Sequence, residues 1–222
     1  MPALFAEMCE DLSGSRPEVT MLAFSNRTLA WHRKEYFPVR FALLYGHYDY
    51  CVIQQFGHPF PGIEQTEPFL AELKSLCLCA KTTPVLLMTW AKKGEPEASA
   101  GIESAYRMLA EKLGCMLAPV GELFREINET YPDIDLYGQD HSHASAYGSY
   151  LIASTLAALL LQPADLSSLT DRSYDFRAHF FAGEYPSAEE NLSAIPIVLH
   201  AESAAFIRRA VENRILHAQR NI

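Results

Sequence analysis

The sequence lacks the features that would commit it to a membrane, to nucleic acid or to an oxidising compartment. No apolar run approaches the ~18 residues a spanning helix requires. The longest, Leu151 to Leu161, is short and is interrupted by Ser154 and Thr155. Basic residues are in deficit, with 18 Lys and Arg against 27 Asp and Glu and a formal charge of −9. A phosphate-backbone binder needs a basic face, so neither nucleic acid nor membrane is an expected partner. The opening residues carry Glu7, Glu10 and Asp11 with no basic stretch ahead of an apolar one, and so do not read as a secretory signal. A cytoplasmic setting is the resulting expectation. Paired cysteines are also missing: there are five, and Cys77-x-Cys79 has no second close pair to complete a zinc site. Buried free thiols are expected instead. Repeats and low-complexity tracts are absent.

What is present is an ordinary globular composition, 49% hydrophobic and 20% charged over 222 residues, enough for one sizeable core. Leu4, Phe5, Met8 and Leu12 recur at helical spacing over Met1–Leu12. Val19–Phe24 is β-like, and Leu29–Tyr45 is partly helical with an interruption at Pro38. Tyr50–Ile53 is a short apolar run that ends in Gln54-Gln55 and a Gly/Pro-rich loop. A helix over Phe69–Leu78, a buried strand at Val85–Met88 and a helix over Ile102–Leu113 follow, the last stopped by Gly114. Cys115–Ala118 is a brief strand and Gly121–Thr130 a helix. Strands alternating with helices imply βαβ units and a mostly parallel sheet, hence an α/β fold. Ala144–Leu161 is apolar all round and reads as a buried helix. Leu166–Pro196, with Tyr174/Phe176 and Phe180/Phe181, has loop character, and Ile197–Ala218 reads as a final amphipathic helix.

The densest chemistry lies in Gln139-Asp140-His141-Ser142-His143-Ala144-Ser145, a polar turn ending at a helix start, with Ser142 or His143 near the cap. An acid and a histidine three apart can point into one cleft, the acid orienting the imidazole and the imidazole moving a proton. Two other readings stand beside this one. The turn is a solvated loop or helix cap, or Asp140, His141 and His143 are three ligands of a metal that no other cluster completes.

Asp140-x-x-His143, followed by Ser145, Gly148 and Tyr150-Leu151, resembles the last signature block of the SGNH/GDSL hydrolase superfamily, with Ala144 where that block has proline. Tyr48–Gln55, Val85–Trp90 and Leu117–Gly121 resemble its third, fourth and fifth strands, and the helical tail resembles a bacterial branch. The resemblance implies a flavodoxin-like three-layer αβα sandwich with a mostly parallel sheet. It divides the chain into an SGNH-like α/β domain over 1–161 and a helical appendage over 162–222. It implies an esterase or O-acetylesterase activity on a small ester or acetylated carbohydrate, with His143 and Asp140 catalytic and no cofactor or metal.

Two departures qualify that implication. The family's Gly-Asp-Ser or Gly-Asn-Ser nucleophile block has no counterpart; Ser13, Ser15 and Ser25 are misplaced for it. The chain resembles a member that begins just after the serine, its first strand absent. The oxyanion asparagine is missing too, and Gln54-Gln55 stand in its place. A glutamine amide can donate to an oxyanion as asparagine does; alternatively both residues merely end the strand. Trp90 is a candidate for the cleft wall, with strand-end packing as the competing reading. Two readings of function remain: a hydrolase whose nucleophile lies upstream, or a non-catalytic relative that binds carbohydrate or acyl ligands or scaffolds an assembly. A strand gap would expose sheet edges, making a homodimer an expected partner arrangement.

Overall fold

Three parallel strands and a set of helices make a mixed α/β structure in the computed structural model, which describes residues 1–24, 26–169 and 199–217. The fold divides into two units. An α/β unit holds residues 20–130 and 140–142, and a helical unit holds residues 1–19, 131–139 and the chain from residue 143.

In the α/β unit, α2 (Leu29–Glu35) starts at Thr28, whose hydroxyl accepts from the Trp31 amide at 3.3 Å. It stops at Tyr36 (φ 55°) because Pro38, in the first turn of α3 (Phe37–Gly46), cannot continue the preceding hydrogen-bond ladder. Strand β1 (Tyr50–Gln54) leads to α4 (Ile63–Cys79), β2 (Thr83–Leu87), α5 (Pro96–Leu113), β3 (Met116–Ala118) and α6 (Val120–Thr130). The sheet order is β1-β2-β3, with Val52 opposite Val85 and Leu86 opposite Leu117. Ile53 and Leu86 share one core with Phe69, Leu70, Leu73 and Cys77 of α4 and Ile102, Tyr106 and Leu109 of α5. Strand alternation turns Val85 and Leu87, both buried, to the opposite face.

Several expectations need correction here. Helix α4 begins six residues before Phe69 and runs through Pro68. The proline sits early enough in the helix to forfeit one bond, to Glu64, without ending it. Val19–Phe24 forms no strand among the described residues. Val19, Met21, Leu22 and Phe24 are exposed, and a strand without a neighbour leaves its amides unpaired. Of the five cysteines, all free, only Cys9 and Cys77 are buried; Cys79 is exposed.

In the helical unit, α1 (Pro2–Ser13) opens with proline and closes on left-handed Gly14 (φ 74°). It packs on α7 (Ala146–Leu161), which also contacts α8 (Ala201–Val211) and the π-helical turn Glu212–His217 that continues it. Helix α7 is buried over most of its length. Its buried Ser154 and Thr155 return their hydroxyl bonds to the helix, Ser154 to the Tyr150 carbonyl (2.8 Å) and Thr155 to that of Leu151 (2.7 Å). The Leu166 amide donates to Glu212 Oε1 at 2.6 Å, and Arg208 Nη1 donates to the Tyr150 hydroxyl at 3.2 Å. The aromatic pairs Tyr174/Phe176 and Phe180/Phe181 lie outside the described residues, as do both ends of the expected helix Ile197–Ala218. Among the described residues no helix is long and apolar enough to cross a membrane.

Candidate functional site

The Asp140–Ser142 turn belongs to the α/β unit and is built by its own side chains. Asp140 Oδ1 accepts from the Ser142 amide at 3.0 Å, closing an Asx turn, with His141 in the left-handed region (φ 57°). Two bonds tie this turn to the loop beyond β2. Trp90 Nε1 donates to the Ser142 carbonyl at 2.8 Å, and the Lys93 amide donates to that of His141 at 3.0 Å. The indole, only 8% exposed, lies flat on Phe124 of α6, with ring centroids 4.3 Å apart and planes 6° from parallel. Helix α6 can come that close because Gly121 is in its first turn. A Cβ there would overlap the Thr89 carbonyl oxygen and crowd Met88.

Trp90 therefore acts as a clamp on the turn, a role that sequence position alone does not reveal. Asp140 and His141 are exposed.

His143 belongs to the helical unit. Its carbonyl accepts from the Gly138 amide at 2.7 Å, Ala144 forms an antiparallel bridge with Tyr137, and the Ser145 amide donates to the Leu136 carbonyl at 2.9 Å. The helix cap is Ser145, three residues beyond Ser142. Its hydroxyl accepts from the Gly148 amide (3.2 Å) and donates to the Asp135 carbonyl (2.7 Å). The Ser-x-x-Gly spacing that resembles the family block is thus an N-cap contact. His143 itself is exposed.

The two glutamines separate cleanly. Gln54 ends β1 opposite Leu87 and is exposed. Gln55 is 2% exposed, and its amide is committed to the fold. Its Oε1 accepts from the Leu29 amide (3.1 Å) and the Phe56 amide (2.8 Å), while Nε2 donates to Thr66 Oγ1 (3.0 Å). Its backbone amide donates to the Tyr106 hydroxyl at 3.2 Å. Burial pushes the Tyr106 phenol pKa up, against partial relief from Thr89 and the backbone amides. Gln55 holds the start of α2 and the loop into α4.

Glu122, in the first turn of α6, is a further buried carboxylate that the sequence did not single out. Arg107 grips it bidentately, Nε to Oε1 and Nη2 to Oε2, each at 2.6 Å. The pair fastens α6 to α5 and commits both carboxylate oxygens of Glu122.

Beyond β1 and β2 the same unit opens a cleft of about 620 Å³. It lies between the Gly57–Gly62 loop, the Ala91–Glu95 loop and one face of α5. Among the described residues no three His, Cys, Asp or Glu side chains are grouped to hold a metal ion. Compared with family models, with curated proteins and with solved structures, the chain matches none.

Proposed function

We propose that this chain carries the acid–histidine end of an SGNH/GDSL-type serine ester hydrolase on a flavodoxin-like αβα scaffold. The observation that carries the reading is one of placement. Trp90 and Lys93 bond the Asp140 turn to the loop at the carboxyl end of β2, the edge where open parallel sheets bind ligands. In this reading Asp140 orients an imidazole and His143 is general base, then general acid. A serine hydroxyl attacks the ester carbonyl carbon and gives its proton to His143. The tetrahedral intermediate expels the alcohol, which takes that proton, and water releases the acyl group by the same route. Exposed Gln54 is a candidate amide donor to the oxyanion. The proposal places the serine N-terminal to Met1, since none stands in a Gly-Asp-Ser or Gly-Asn-Ser block within this sequence.

The test expresses the protein together with any in-frame coding sequence upstream of Met1. It is then assayed with p-nitrophenyl acetate and a fluorophosphonate probe. Turnover and covalent labelling of a serine are expected, with turnover reduced at least about a thousandfold in His143→Ala. A stop codon directly upstream, no labelling, or full activity after His143→Ala would sink the proposal. The second reading, a relative that binds carbohydrate or acyl ligand without cleaving it, is favoured by one observation. Buried Gln55, beside the expected oxyanion position, spends its amide on Leu29, Phe56 and Thr66.

A further inference from the structure

Gly101 is placed where the fold gives no reason for a glycine. It lies inside α5, its φ is not in the left-handed region, and a Cβ built on it meets no atom within 4 Å. Glycine is the poorest residue for a helix interior after proline. Gly121 shows the contrast, because there a backbone oxygen forbids any side chain. What Gly101 does border is the cleft of about 620 Å³, with Ala98, Ile102 and Ala105 from the same helix face. Opposite stand Pro59, Phe60 and Ile63, with Ala91 at the end of the β2 loop. Ala98, Gly101 and Ala105 on the α5 face and larger apolar residues around them leave an open, apolar slot beyond the carboxyl ends of two parallel strands. Its volume falls within the roughly 300–1,000 Å³ of small-molecule sites.

His58 adds an imidazole to the lining, whose charged groups are Lys92 and Glu95, one of each sign, held on a single turn by the Glu95 amide bonding to the Lys92 carbonyl at 3.1 Å. The two offset each other, so the slot offers an apolar surface without a net field to select a charged ligand.

We propose that this cleft is a binding site for the apolar acyl portion of a neutral ligand, with Gly101 kept small to leave the slot open. That the ligand is an ester rests on the function proposed above; that the slot takes a neutral acyl chain does not. A single acetyl group would bury little of this apolar lining, so the lining favours an ester of a longer acyl chain.

The test measures binding of octanamide, neutral and resistant to ester hydrolysis, to the intact chain by ligand-observed NMR and titration calorimetry, with acetamide as the short control. Octanamide is expected to bind at least about tenfold more tightly than acetamide, since each buried methylene adds favourable transfer free energy. Gly101→Leu is expected to lower octanamide affinity at least about tenfold while leaving the melting temperature equal or higher, because leucine favours the helix. Ala98→Leu, on the exposed first turn of α5, is the second filling variant should Gly101→Leu fold poorly. Equal affinity for the two amides, or unchanged octanamide affinity in both filled variants, would overturn the proposal. The hydrolase reading fails separately. Octanamide binding without any ester turnover would leave the site standing, whereas turnover with no octanamide binding would remove the site and keep the enzyme.

Discussion

Replacing Trp90 by phenylalanine tests the clamp on the Asp140 turn with little other disturbance. The smaller ring can keep its place on Phe124, whereas the bond from Nε1 to the Ser142 carbonyl, 2.8 Å in the native protein, has no donor left. A net intramolecular hydrogen bond is worth about 0.5–1.5 kcal/mol. Shrinking a buried ring adds a cavity cost of roughly 1 kcal/mol. Ser142 is only half-buried, so water can reach its freed carbonyl and the sum falls at about 1.5–2.5 kcal/mol. For a chain of this size that lowers the melting temperature by roughly 3–10 °C. The more telling signal is local. The Ser142 amide, bonded to Asp140 Oδ1, and the Lys93 amide, bonded to the His141 carbonyl, should exchange with solvent faster by more than the global change dictates. Amides of β2 should follow the global change alone. Hydrogen exchange by NMR reads both sets in one experiment. Unaltered exchange at Ser142 and Lys93 beside an altered melting temperature would refute the clamp and leave Trp90 as core packing.

Two further outcomes follow from groups that the fold commits. Gln55→Ala should cost roughly 2–4 kcal/mol in urea unfolding, because the Leu29 and Phe56 amides and the Thr66 hydroxyl lose a buried partner. Gln54→Ala, at an exposed position, should stay within about 0.5 kcal/mol. Burial pushes the Cys9 thiol up to about 12, from 9.0. Between those values the native state holds a proton that the unfolded chain has lost, so this stability is intact below pH 9.0 and drains away as pH rises toward 12. The slope is up to roughly 1.4 kcal/mol per pH unit, read from melting curves, and Cys9→Ala should flatten it.

Most of the α/β unit was legible because its signals are local. The apolar run at Tyr50–Ile53 buries only part of its strand and that at Val85–Met88 buries both faces, and Gly114 ends α5 in the left-handed conformation that only glycine adopts freely. The misreadings were non-local. Val19–Phe24 has strand composition, but a strand exists only where a neighbour pairs with it. The apolar spacing marks a helix only from Phe69, whereas α4 starts at Ile63 and runs through Pro68, because the contacts of its first turn, not its apolar spacing, decide where it begins. The polar turn was visible as Asp140-His141-Ser142-His143, whereas the grip of Trp90 on it, across fifty-two positions, had no sequence signal. For the same reason Gln54 and Gln55 were indistinguishable by type. Strand alternation turns the first outward, and the tertiary contacts with Leu29 and Thr66 bury the second.

Gly121 sets a tolerance for everything stacked above it. With no side chain there, α6 seats against the Thr89 carbonyl; that seat fixes the height of Phe124, Phe124 fixes the plane of Trp90, and Trp90 fixes the Ser142 carbonyl. Each joint is a contact of a few ångströms, so an error at the bottom is passed upward rather than absorbed. A single methyl group at residue 121 would misalign that turn as surely as a change made within it.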